Sequence, residues 1–182
     1  MVNNLNPVLI DLGIIKIYWY SLSYIFGILI GWWYGRFLIK KKIEFIDQGN
    51  YLKKFDDLIS YIIIGVIIGG RLGYVIFYNP SYFIENPIQI FKLWEGGMSF
   101  HGGLIGVIIS TYIFSNIKKL NYKIYFDVIC CVAPIGIFLG RIANFINSEL
   151  YGIPTEKPWG VIFQKIDNLT RHPSQLYEAF LE

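Results

Sequence analysis

Four long apolar runs alternate with short polar stretches along the chain. The first covers about residues 17–39 and stops at Lys40-Lys41-Lys42. At about 1.5 Å of rise per residue it reaches about 35 Å, enough to cross a bilayer with some tilt. The second covers 57–79, with Asp56 or Asp57 as its N-terminal cap. It ends at Asn79-Pro80, because a residue before proline avoids the helical region. The third covers 98–115 and the fourth 125–146, where Pro134 should free a carbonyl and kink the helix. Residues 148–171, with Pro154 and Pro158, predict an irregular polar segment outside the bilayer. Residues 172–182 predict the start of another helix, with Pro173 at an early position. The pattern therefore predicts an all-α fold. It is a polytopic integral membrane helix bundle, one membrane domain over 1–182, with four complete transmembrane helices and the start of a fifth.

Composition supports this. Of 182 residues, 54% are hydrophobic and 16% are charged, with a mean hydropathy of +0.47. That excludes an ordinary soluble domain and makes the lipid bilayer, not nucleic acid, the expected partner. Small residues recur every fourth position at Ser23, Gly27, Gly31 and Gly35, at Gly65, Gly69 and Gly73, and at Gly136 and Gly140. Such stripes serve close helix packing. Cys130 and Cys131 are adjacent inside an apolar run, match no metal spacing and read as buried structural thiols. The first 15 residues carry no Lys or Arg, so no signal peptide is expected.

The net charge of +3 matters through its placement. Residues 40–56 and 116–124 carry eight Lys between them, whereas the lead and residues 80–97 carry one each, Lys16 and Lys92. The positive-inside rule then puts the N-terminus and 80–97 outward, and 148–171 with them. On this topology Tyr20, Arg71, His101 and Arg141 all fall toward the outer leaflet. Tyr20 alone is an interface anchor, His101 alone a helix-start residue, and Arg141 alone a snorkelling cation. Arg71 is the exception. It lies eight residues before Asn79, and a charge that deep costs about 2.5–3.5 kcal/mol unless it is paired or faces a cavity. Gly140–Gly152, GRIANFINSELYG, adds Asn144 one turn from Arg141, then Asn147 and Glu149. Two arginines at headgroup depth suit a phosphate, most simply that of a phospholipid. A histidine beside it suits proton transfer.

The same motifs resemble those of the bacterial prolipoprotein diacylglyceryl transferases. The resemblance runs through Trp19-Tyr20, Gly69–Tyr78 (GGRLGYVIFY), Glu95–Leu104 (EGGMSFHGGL), Gly140–Gly152 and Arg171–Glu178 (RHPSQLYE), in order. It implies transfer of the diacylglyceryl group of phosphatidylglycerol to the cysteine thiol of a prolipoprotein lipobox. A thioether forms, glycerol phosphate leaves, and no metal or organic cofactor takes part. It implies catalytic roles for His101 and Arg141, and substrate-binding roles for Tyr20, Arg71, Asn144, Glu149 and Gly152. It also implies a multi-pass protein of the bacterial inner membrane. Family members continue past RHPSQLYE for several helices and supply a further arginine there, so a C-terminally truncated member is expected. An inactive remnant or a non-catalytic phospholipid-binding protein is the alternative. A transporter is disfavoured, because no internal repeat is visible and the polar groups collect toward one leaflet.

Overall fold

The computed structural model describes residues 1–13, 16–42 and 48–181. Its helices are α1 (Trp19–Lys42), α2 (Gln48–Phe77), a short α3 (Pro80–Glu85), α4 (Phe100–Ile117), α5 (Tyr122–Asn147) and α6 (Ser174–Leu181). Among the described residues, α1, α2, α4 and α5 are long and apolar enough to cross a membrane. Hydrocarbon offers the backbone no hydrogen-bond partner, so a spanning segment must bond to itself, as a helix does. The protein is a multi-pass membrane protein. Its chain divides into two compact units, Arg36–Ile129 and Met1–Gly35 with Cys130–Glu182.

In the Arg36–Ile129 unit, α2 begins at Gln48, nine residues before the expected start. Asp56 is therefore not a cap. It lies within the helix and pairs with Arg36. The early start brings Tyr51 and Phe55, four residues apart, against Tyr125 of α5. Phe55, Leu58, Phe114 and Tyr125 are fully or almost fully buried there. Further along, α2 and α4 approach through their glycines. A Cβ at Gly69 would lie 2.3 Å from the Gly102 carbonyl oxygen, and one at Gly106 2.0 Å from that of Gly65. Neither helix tolerates a side chain at this seam, as the stripe predicts. The end of α4 is a Schellman turn. Leu120 N–H bonds to Ser115 O at 2.8 Å and Lys119 N–H to Asn116 O at 3.2 Å. Lys119 takes the left-handed conformation (φ 56°) that glycine usually fills.

In the other unit α1 meets α5, where a Cβ at Gly27 would lie 3.2 Å from the Gly136 Cα. Helix α5 continues through Pro134. Cys130 and Cys131 are exposed on it, not buried. Hydrocarbon accepts a thiol about as readily as a core does, so a lipid-facing position costs little. Residues 148–171 are more ordered than expected. They contain β4 (Val161–Phe163) and β5 (Thr170–Arg171), and the lead contains β1 (Val2–Asn3), β2 (Val8–Asp11) and β3 (Lys16–Tyr18). The central strand β4 pairs in parallel with β1 and antiparallel with β5. Val161 and Phe163 turn inward onto Phe145, Tyr151 and Leu176. The β2–β3 hairpin delivers the chain to α1, and Trp19 N–H bonds back to Pro7 O at 3.1 Å. Asn3 is 2% exposed and donates to the Phe145 carbonyl at 2.6 Å. That carbonyl lies in the last turn of α5, where helical partners run out.

Candidate active site

The end of α5 builds the first set of groups. Arg141 and Asn144 lie one turn apart on the helix. Beyond Asn147 the chain reverses through Ser148 (φ 62°) and Leu150 (φ 53°), both left-handed and neither glycine. Such backbone is costly and survives only where its surroundings impose it. Here they do. Glu149 N–H bonds to Asn144 O at 2.9 Å, Ser174 Oγ donates to Leu150 O at 2.7 Å, and Gln175 Nε2 donates to Glu149 O at 2.5 Å. Glu149 thus has its backbone clamped from two directions while its side chain stays exposed. Asn144 is buried. Its carbonyl closes the turn that presents Glu149.

Gly152 is held for its size. Its N–H bonds to His172 O at 2.9 Å, and a Cβ there would lie 2.8 Å from the His172 Cβ. The glycine joins the 148–153 strap to the segment before α6, a packing role that the expected substrate contact does not require. Just beyond, Tyr177 Oη accepts from Trp159 Nε1 at 2.8 Å and lies 3.0 Å from His172 Nδ1. Arg171 stacks on Tyr151 at 4.9 Å and pairs with Asp167 at 2.5 Å. The Arg171 guanidinium holds the Asp167 carboxyl below the usual carboxylate range, and Asp167 in turn raises Arg171.

Arg141 meets a carboxylate that motif reading did not single out. Its Nη1 lies 2.8 Å from Glu178 Oε2 of α6, with both side chains partly exposed. Tyr20, in the first turn of α1, lies within electrostatic reach of Arg141 and Glu149 and stacks at a tilt on Tyr24 at 5.2 Å. One unit therefore gathers Tyr20, Arg141, Asn144, Glu149 and Gly152, and adds Glu178 and the buried Gln175. A semi-exposed ion pair of this kind exchanges its anion readily, because water screens the attraction that holds it.

His101 and Arg71 belong to the other unit. His101 is the second residue of α4, exposed, with its ring edge-on to Phe100 at 5.7 Å. Its two following glycines are buried. Ser99 caps the helix, accepting from Gly102 N–H at 3.2 Å. Arg71 is 5% exposed, as expected of a deep charge. Its partners are main-chain carbonyls. Nε donates to Ile90 O at 2.8 Å, Nη2 to Gln89 O at 2.6 Å and Lys92 O at 3.2 Å, and Nη1 to Gly96 O and to Gly97 O at 3.2 Å. A guanidinium has five N–H donors, and the five bonds leave none for a phosphate. Among the described residues no group of His, Cys, Asp and Glu has the arrangement to hold a metal ion.

These features define a class: a multi-pass membrane protein whose fourth long helix ends in an arginine–carboxylate centre on a clamped polar turn. Comparison with known proteins narrows the class. Residues 7–182 match the prolipoprotein diacylglyceryl transferase family, and the chain belongs to it. A phosphatidylglycerol–prolipoprotein diacylglyceryl transferase of Rickettsia felis is 52% identical over 179 residues, which make up 98% of this chain and 68% of the relative. Proteins of the same name from Rickettsia canadensis and Rickettsia typhi are 53% and 54% identical over the same shares.

Proposed function

We propose that this protein transfers the diacylglyceryl group of phosphatidylglycerol to the lipobox cysteine of prolipoproteins. The reading is carried by Arg141, which sits in the family's motif and pairs with a partly exposed carboxylate, Glu178, at 2.8 Å. The substrate headgroup is a phosphodiester anion, and an arginine fork matches its oxygens. The cysteine sulfur attacks the glyceryl carbon that bears the phosphate. A C–S bond forms, the C–O bond to phosphate breaks, and the electron pair leaves on glycerol phosphate. Arg141 takes up the charge developing on that leaving group, which is usually the largest catalytic contribution. A free thiol has a pKa of about 8.5, so removing its proton makes the stronger nucleophile. His101 takes that proton and releases it to water. Tyr20, Asn144 and Glu149 orient the headgroup. The protein works in the bacterial inner membrane with its N-terminus outward, drawing lipid from the outer leaflet.

The test supplies the protein, in phosphatidylglycerol vesicles, with a synthetic lipobox peptide and follows the peptide mass. A diacylglyceryl mass gain that Arg141→Ala abolishes and a Cys→Ser peptide never shows is the expected result. A folded protein that binds phosphatidylglycerol but leaves the peptide unchanged would make it a lipid-binding protein instead.

A further inference from the structure

Arg71 is the most deeply placed cation of α2, and its five donors all go to main-chain carbonyls of one segment, Gln89 to Gly97. That segment consists of two 3₁₀ turns, Pro87–Phe91 and Leu93–Glu95, followed by two glycines. The turns bond partly to themselves, Gln89 O accepting from Lys92 N–H at 3.2 Å and Lys92 O from Glu95 N–H at 3.3 Å, and carbonyls in so short a helix keep capacity for a second donor. The guanidinium supplies them from a single point, and Phe83 and Tyr74 lie at 5.4 and 5.9 Å from its centre. The grip extends to the start of α4. Gly96 and Gly97 both have positive φ (81° and 83°), and a Cβ on Gly97 would lie 2.4 Å from the Tyr74 ring. Two residues later Ser99 N–H bonds to the carbonyl of Gly70, the neighbour of Arg71, at 2.9 Å. Ser99 then caps α4, and His101 follows within the first turn. Two consecutive residues of α2 thus fix the path by which the chain enters the helix that carries His101.

We propose that Arg71 is a positioning residue, not a phosphate ligand. It holds His101 in place through the carbonyls of residues 89–97. The proposal rests on the reading of His101 as the base, and its test separates the two. Arg71→Lys keeps the charge but offers three donors from one nitrogen, too few and too compact for five carbonyls. A displaced base loses turnover while lipid binding persists. The Lys variant is therefore expected to lower kcat by about tenfold or more with KM for phosphatidylglycerol within about twofold. Gly97→Ala, which disturbs the same path without touching the charge, is expected to show the same split. Two readouts need no turnover. In both variants trypsin should cut faster at Lys92, and diethyl pyrocarbonate should modify His101 at an altered rate, with His172 as internal reference by mass spectrometry. A raised KM with unchanged kcat in Arg71→Lys, or unaltered Lys92 cleavage and His101 reactivity in both variants, overturns the proposal. If the parent protein shows no transfer, the base assignment falls, and the cleavage and modification rates still decide whether Arg71 holds this segment.

Discussion

Arg141 and Glu178 form an ion pair that, in the proposed reaction, a substrate anion has to open. The pair is 2.8 Å long and partly exposed, so it contributes little to stability and competes only modestly with an incoming phosphate. Glu178→Gln removes this carboxylate competitor and keeps the shape. KM for phosphatidylglycerol should fall by up to about fivefold, the equivalent of about 1 kcal/mol. A collapse of kcat with KM unmoved would instead make Glu178 the group that aims Arg141. The Asp167–Arg171 pair gives a different prediction at the same scale. Asp167 is held below its ordinary pKa by the guanidinium. Its contribution is therefore complete above about pH 4, the usual carboxylate range, and is lost as pH falls through the lower folded value. Acid should loosen the 148–171 segment first, and Asp167→Asn should flatten that dependence. Fluorescence of Trp159 against pH measures both.

Elements were legible where one physical cause dominated. Hydropathy alone places the four long helices, because in lipid only self-bonded helices are stable. The glycine stripe of α2 announced its contact, and α4 supplies it with Gly102 and Gly106. Gly106→Val should force the helices apart and cost at least about 1–3 kcal/mol of stability, read as an earlier unfolding midpoint in detergent. Other features needed the fold. Asp56 looked like a cap, and only tertiary contacts of Tyr51 and Phe55 carry α2 back to Gln48. The sheet of β1, β4 and β5 was invisible because strands of two or three residues give no period to detect, and β1 lies far from β4 in sequence. Arg71 was recognised as needing a partner, but backbone carbonyls leave no trace in side-chain spacing. The Schellman turn offers one stabilising change that sequence could not suggest. Lys119→Gly removes a strained left-handed lysine (φ 56°) and should raise stability by up to about 1 kcal/mol.

For the whole molecule, the parallel pairing of β1 with β4 constrains topology independently of charge. Val2 lies beside Ile162 and Asn3 beside Phe163, so the start of the chain and the segment after α5 share one side of the membrane. Four crossings, an even number, satisfy that condition, and three or five would not. Strand pairing cannot say which side it is. The lysine distribution supplies an expectation: eight in the 40–56 and 116–124 stretches against two in the lead and 80–97. Together they predict an outward N-terminus and an outward 148–171 segment. Single-cysteine labelling of intact cells tests it, in a background with Cys130 and Cys131 replaced by alanine. Asn4→Cys and Glu156→Cys should both react with a membrane-impermeant maleimide, and Asn121→Cys only after permeabilisation. The reverse pattern would place the arginine–carboxylate centre on the cytoplasmic face, where an exported prolipoprotein cysteine does not reach it. Labelling of Asn4→Cys without Glu156→Cys would contradict the strand pairing itself.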